Sequence, residues 1–518
     1  MSLDNDELLR DLRERRHSLT DARRPEAVAR QHERGKLTAR ERIAMLTVGG
    51  RFVEIGGFAG PGPAQGGGQP LVAPSDAVVT GIAHVDGRPV SVAAFDFTVL
   101  GGSNGAVGMA KVGRCAERSL KDRIPLVLLC DGGGHRMQEA LDSRLAAPGS
   151  PVLQQLVDLS GLVPTITVML GPGFGLASNL AALSDFVVMV RGISTLGMSA
   201  APFVLAATGE DLTNEQIGGA DVQAAHGIAD LAVDDEAEAI DAVRAYLGYL
   251  PAHTDSDPLR TPGPHRAPPA DIDSMVPADS RVAYDVRDVV EALVDEDSML
   301  ELRPMAARNI VTTFARIDGR PIGVVANQPM HLAGALDSGA CEKAAHFIAV
   351  CDAFGLPLLL VIDLPGFLVG TAAESTQLAR RSGRLMFELG QATVPRFTIV
   401  ARKAYGAAYI AMGGGRSVEA DLALAWPTAE ICAMPIEGAV DIAYRREVET
   451  AQDPAAHREA LIARFRANVD PYVAAEGFGI DDVVAPSETR ALLQEVLARV
   501  QPRREAHVPG KRRAISPI

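Results

Sequence analysis

Lysine is scarce in this 518-residue chain: of its 50 basic residues only six, at positions 36, 111, 121, 343, 403 and 511, are lysine. That bias reads as genomic composition and excludes no function. Aromatic residues are few as well, 4% of the chain with one Trp, so a core must come from aliphatic side chains, with 50 glycines allowing close helix–sheet packing. The five cysteines, Cys115, Cys130, Cys341, Cys351 and Cys432, contain no CxxC pair, which excludes a zinc ribbon and suits reduced core thiols. An apolar leader is also missing from the polar, acidic N-terminus, so a cytoplasmic location is expected. Positive charge is in deficit. With 65 acidic residues against 50 basic ones the net charge is -15, which disfavours nonspecific binding to nucleic acid or an anionic membrane. The one long charge-free stretch, Leu159 to Ser184, is interrupted by Pro164, Gly171, Pro172, Gly173 and Gly175. It predicts a buried strand, a tight turn and a helix start, not a membrane span.

What is present is a long-period duplication. Gly81-Ile-Ala-His-Val-Asp-Gly-Arg-Pro-Val90 returns as Thr313-Phe-Ala-Arg-Ile-Asp-Gly-Arg-Pro-Ile322, an offset of 232 residues. The same offset carries Gly102 to Gly334 and Asp131 to Asp363, and, allowing one residue, Gly175 to Gly406. Between the copies, Pro251 to Pro277 holds seven prolines and reads as an exposed linker, so two homologous domains are expected, 1–265 and 266–518. Each copy opens with an alternating strand pair around Asp86-Gly87 or Asp318-Gly319, the dipeptide of tight hairpins. A helical run follows (Ala106 to Leu120, Cys341 to Phe354), then an apolar strand ending at an Asp (Pro125 to Cys130, Pro357 to Ile362). A further strand comes next (Thr165 to Leu170, Arg396 to Ala401), followed by a glycine turn and a helix. Continuous apolar strands between helices indicate a sheet covered on both faces, so the fold class is α/β, duplicated.

Several turns invite chemistry. Gly101-Gly-Ser-Asn-Gly105 fits the G-x-S-x-G nucleophile elbow and makes Ser103 a hydrolase candidate, but the second copy has Ala335 there and no Asp and His follow in a recognisable setting. Gly171-Pro-Gly-Phe-Gly175 imitates a dinucleotide loop whose third glycine would fall on Leu176. His135 and Glu139 have i, i+4 spacing, yet a metal site lacks its third ligand, and a solvated pair at a helix start fits better. What remains is backbone. A glycine turn that opens a helix presents free N–H groups to a developing oxyanion. Gly175-Leu176-Ala177 and Gly406-Ala407-Ala408 occupy equivalent turns, so the duplication would supply two such pockets; tight strand–helix turns without further role are the competing reading.

Across nearly its whole length the chain resembles the carboxyltransferase (β) subunits of biotin-dependent acyl-CoA carboxylases, such as those acting on propionyl-CoA. In the N-terminal half the resemblance lies in Arg34-Gly-Lys-Leu-Thr-Ala-Arg-Glu-Arg42, Asp96 to Ser103 and Asp131-Gly-Gly-Gly-His-Arg-Met-Gln-Glu139. In the C-terminal half it lies in Ala326 to Met330, Cys351 to Phe354, Asp363-Leu-Pro-Gly-Phe367, Ala392 to Pro395, Arg402-Lys-Ala-Tyr-Gly406, Ala425 to Thr428 and Pro486 to Thr489. The resemblance implies two tandem crotonase-like (ββα-spiral) domains, an active site at a dimer interface and a homo-hexamer. It implies that carboxybiotin releases CO2, that the biotin enolate takes the acyl α-proton, and that the thioester enolate attacks CO2. By the same resemblance Gly175, Leu176 and Ala177 hold the thioester oxygen, and Gly406, Ala407 and Ala408 the biotin oxygen. Gly101, Gly102, Ser103, Gly133, Gly134 and Arg136 would line the acyl-CoA cleft, with Tyr405 and Ile410 beside the biotin-side turn. No metal is implied. The chain shows neither a Met-Lys-Met biotin site nor an ATP-grasp region, so biotin would come on an α subunit with biotin carboxylase and carrier domains.

Departures from the family pattern sit at Leu176, where a small residue is usual; at Gly132 and His135, where Ser and Ala are usual; and at Ala407, usually Gly. Ile410 occupies a position linked to acyl choice, and an apolar residue there points to a longer or less usual acyl group. A biotin-dependent decarboxylase would share every motif. A structural subunit that has lost turnover is the alternative from another class, and a Ser hydrolase using Ser103 is the third.

Overall fold

In a computed structural model of the protein, the described residues are 4–47, 50–61, 71–132, 134–141, 149–261, 271–500 and 503. The chain divides into two compact units at Ser256/Asp257. The expected boundary at 265/266 lies outside the described residues.

The N-terminal unit is built on a seven-stranded mixed sheet. Its strands run in the order Phe52–Glu54, Val78–Val85, Arg88–Phe95, Leu126–Cys130, Thr165–Met169, Phe186–Val190 and Leu231–Val233, antiparallel over the first three and parallel thereafter. The C-terminal unit repeats the order with Leu300–Leu302, Ile310–Ile317, Arg320–Asn327, Leu358–Leu364, Arg396–Tyr405, Leu422–Ala425 and Asp482–Val483. Both hairpins turn on Asp-Gly with positive φ at each residue, 47° and 81° at Asp86 and Gly87, 52° and 72° at Asp318 and Gly319. This is the turn whose twist matches its strands. The central parallel strands are buried along their whole length, as expected of a sheet covered on both faces.

Helices Ala106–Asp122 and Ser338–Phe354 are equivalent, and each places one of the rare lysines against the loop before the unit's second strand. Lys111 Nζ donates to the carbonyls of Ser75 (2.9 Å) and Val78; Lys343 Nζ donates to those of Arg303 (2.9 Å), Ala306 (3.0 Å) and Ile310 (2.8 Å). Burial lowers the Lys111 ammonium to about 8. Three loop residues adopt positive φ in the first copy, Ser75, Asp76 and Ala77; in the second Arg303 and Ala307 do so. A lysine that ties up the carbonyls of such a loop offsets its strain.

The charge-free stretch folds as the sequence predicts, into strand Thr165–Met169, a short strand Pro172–Phe174 and helix Leu176–Ala182. Among the described residues no helix is long and apolar enough to cross a membrane.

Candidate functional site

In each unit the strand after the long helix ends at a buried aspartate, and cations fix it there. Asp131 accepts from Lys36 Nζ (2.5 Å), Gln31 Nε2 (2.9 Å) and Arg42 Nη1 (2.7 Å), and Arg42 is itself bound twice by Glu236 (2.7 and 2.8 Å). Asp363 accepts from Arg402 Nε at 2.9 Å, and Lys403 Nζ lies 2.9 Å from its other oxygen. The two nodes are equivalent but their cations are not. Arg402 and Lys403 belong to the next strand, which therefore runs unbroken as Arg396–Tyr405. The corresponding positions are Gly171 and Pro172; a Cβ at Gly171 would collide with Asp131 Oδ1 and sit 2.8 Å from Lys36 Nζ. The N-terminal segment thus delivers its ammonium into the space a side chain at Gly171 would need, and the strand breaks after Met169. The Arg34 to Arg42 motif serves this anchor, a role invisible in its sequence.

Beyond Asp131 the loop meets the Gly101-Gly102 turn. A Cβ at Gly102 would strike the Asp131 carbonyl oxygen, so glycine is needed for the approach itself as well as for its φ of 64°. The loops then pair: Asn104 N donates to Gly134 O (2.8 Å) and Arg136 N to Asn104 O (3.0 Å). Gly134 has φ 98°; Gly133 lies outside the described residues. Arg136, expected beside the cleft, is buried. Its side chain is 1% exposed, because the guanidinium is enclosed by Asp76 Oδ1 (2.5 Å), Glu139 Oε1 (2.8 Å), Ser103 Oγ (3.4 Å) and Ser103 O (3.2 Å). Ser103 Oγ thus meets a guanidinium and not an imidazole base, and Glu139 is engaged by Arg136 and the Ala106 amide (2.7 Å).

Helix starts separate into two kinds. The Ala106–Asp122 start is closed by carboxylates, Glu139 on the Ala106 amide and Asp76 on that of Gly108 (2.6 Å). The Ser338–Phe354 start is closed by Asp337, which accepts from Ala340 N (2.8 Å). The starts at Gly175 and Gly406 have no side-chain cap. Among the described residues the amides of Leu176, Ala177, Ala407 and Ala408 reach no acceptor. Gly175 has φ 64° with no atom within 4 Å of where a Cβ would be, and Gly406 has φ 68°. These are two open donor cradles, one per unit.

Two of the departures pack as follows. Leu176 is partly buried and packs its side chain against the apolar core of its unit. Ala407 is exposed, so its methyl group points away from the packed side, and Ala408 is buried. Tyr405 is 8% exposed and donates its hydroxyl to Glu430; burial, and then that carboxylate, push the phenol up. Ile410 is 49% exposed and lines an apolar cleft of about 400 Å³ with Tyr409, Val473, Ala474 and Ile480. Sequence reasoning missed Lys36, Arg42, Asp76 and Glu236; the buried charges of the Arg34 to Arg42 string were its only signal.

Residues 30–515 match the family described as carboxyl transferase domain. The propionyl-CoA carboxylase beta chain of Saccharopolyspora erythraea is 40% identical over 98% of this chain and 96% of its own length. The methylmalonyl-CoA decarboxylase subunit alpha of Veillonella parvula is 38% identical over 93% and 94%. Among solved structures, transcarboxylase 12S, a hexamer with methylmalonyl-coenzyme A and methylmalonic acid bound, superposes with a TM-score of 0.93 at 36% identity over 99% of both chains.

Proposed function

We propose, from the premise that the chain belongs to the carboxyl transferase family, a division of labour between its two open turns. The protein is a carboxyltransferase of the biotin-dependent acyl-CoA carboxylase kind, with two crotonase-like units. The observation that supports two open turns is the contrast among helix starts: those at 106 and 338 are capped by carboxylates, those at Gly175 and Gly406 are not; which turn takes which oxygen follows the family resemblance.

Carboxybiotin on a partner chain supplies CO2 and, as the ureido anion, the base that takes the acyl α-proton. The amides of Leu176 and Ala177 donate to the acyl-CoA thioester oxygen as enolate charge develops there. Those of Ala407 and Ala408 do the same for the ureido oxygen. Both pairs are fixed before reaction, so they stabilise charge without reorganising. No side-chain base is needed, consistent with Ser103 and Glu139 being engaged elsewhere. Gly101, Gly102 and Gly134 shape the acyl-CoA wall, and Tyr405 orders the biotin-side turn through Glu430. By the family resemblance the apolar Ile410 favours an acyl group longer than propionyl. An α subunit bearing biotin, a homo-hexamer and a cytoplasmic location complete the reading.

The test is loss of the carboxyl group from malonyl-, methylmalonyl-, ethylmalonyl- and longer 2-carboxyacyl-CoAs with purified chain and free biocytin. Biocytin-dependent loss, fastest for a longer member, is expected. Loss without biocytin, or none even with an α partner, overturns the reading. Because a relative named as a decarboxylase subunit is 38% identical, assay in both directions decides which way the chain works with its partner.

A further inference from the structure

Resting on the reading that the N-terminal unit holds acyl-CoA, we propose that Arg136 is a positioning residue which sets the spacing of the two loops walling that cleft. The loops are 99–105 and 131–141, apart from Gly133, and one guanidinium joins them. It binds the Ser103 carbonyl (3.2 Å) and hydroxyl (3.4 Å) on one loop and Glu139 (2.8 Å) on its own, with Asp76 (2.5 Å) behind both. Each carboxylate reaches on to the same helix start, Glu139 to the Ala106 amide and Asp76 to that of Gly108. Arg136 therefore acts through four groups on three segments, without touching the open turn at Gly175.

The second copy shows what the joint is for. The same backbone pairing exists there, Leu368 N donating to Leu336 O at 2.8 Å, but the residue in the place of Arg136 is Leu368. Its helix is capped locally by Asp337, and Asn309 bridges Asp337 (3.3 Å) and the Ala335 carbonyl (2.7 Å). That cap lies within its own turn and leaves the facing loop untethered by side chains of this cluster. In the first copy Gly105 stands where Asp337 would be, so the cap comes from across the gap, and capping the helix and fixing the gap become one act. Lysine keeps the charge but offers one point donor in place of a planar fork, and cannot span these acceptors.

The measurement is steady-state kinetics of full-length wild type, Arg136→Lys and Glu139→Gln with methylmalonyl-CoA and biocytin, alongside calorimetric binding of CoA and melting curves. Expected is a rise of about tenfold or more in KM for the acyl-CoA in Arg136→Lys, an order of magnitude set by the sensitivity of bound geometry to small displacements. Weaker CoA binding, a smaller rise in the same direction for Glu139→Gln, and an unchanged KM for biocytin should accompany it. The proposal is overturned if neither KM moves, if both rise together, or if only that for biocytin rises; the last places the acyl-CoA in the other unit. Should Arg136→Lys fail to fold, the KM pair of Glu139→Gln decides alone. A wild-type chain that neither turns over nor binds CoA removes the functional reading and this proposal with it, whereas a wild type that works with unaffected variants removes only the proposal.

Discussion

The two units present the same buried aspartate at the same strand end and fix it by different routes. At Asp363 both cations come from the neighbouring strand; at Asp131 they arrive from the N-terminal segment, with Glu236 bracing Arg42 from behind. Duplication has kept the node and exchanged its supports. A helix start shows the same pattern, with Asp337 capping locally in one unit and Asp76, Glu139 and Arg136 capping from a distance in the other. The open turns at Gly175 and Gly406 are thus common to both units, while the scaffolding around them varies.

The largest effect expected from breaking this comparison is at Arg42. Arg42→Met leaves Asp131 with Lys36 but Glu236 with only the Leu37 amide, and should cost about 3–5 kcal/mol in denaturant unfolding. Arg402→Met strips a donor from the carbonyls of Pro277, Asp279 and Val282 but leaves Asp363 with Lys403 and no carboxylate without a cation, and should cost less; a larger cost would mean that those carbonyl bonds outweigh the Glu236 pair. Next come the open turns. Leu176→Pro and Ala407→Pro each delete one amide at a first-turn position where proline fits a helix. Each should lower kcat by about 10²–10³. Leu176→Pro should spare biocytin KM and Ala407→Pro acyl-CoA KM, and failure of either split would dissolve the assignment of sides. A smaller effect, about 1–3 kcal/mol by thermal melting, is expected for Gly171→Ala, which forces a methyl group against Asp131; a neutral result would mean that the Lys36 segment yields.

The last effect, which depends on pH, concerns a second carboxylate pair. Burial, with help from the Asp230 charge, raises the Asp185 carboxyl to about 7. At the place of Asp230 the C-terminal unit has Asp481, paired with Arg416 at 3.2 Å. A raised folded-state value means the native state holds its proton more tightly than the unfolded chain. The associated stability is full below about 4 and is lost as pH rises through about 7. Asp185→Asn should therefore gain on wild type across that window and level off above it, by about 2–4 °C in Tm per kcal/mol. A constant offset from pH 4 to 8 would show that Asp185 ionises normally.

Much of this was legible in the sequence because it was periodic or local: the repeat, the Asp-Gly hairpins, the apolar strands and the glycine turns each declare themselves within ten residues. What stayed hidden was carried by contacts far apart in the chain. Nothing near Gly105 reveals that Asp76 and Glu139 cap the next helix, so its open appearance in sequence is false, whereas the same appearance at Gly175 and Gly406 is true. The burial of Arg136 was hidden for the same reason, since a glycine-rich loop looks exposed until its carboxylate partners are known. The run of the C-terminal strand past the expected Ala401 to Tyr405 was likewise unreadable without Asp363 in view.

The anchor at Asp131 also imposes an order on synthesis. Arg42 and Glu236 are 194 residues apart, while Arg402 and Asp363 are 39 apart. Leaving the ribosome, the N-terminal segment must wait through nearly the whole of its unit before the last brace arrives, whereas the C-terminal node can close soon after its second strand appears. The first half to be translated is therefore the slower to close its aspartate anchor, and a pause or premature stop before Glu236 would release an Arg42 without its second carboxylate.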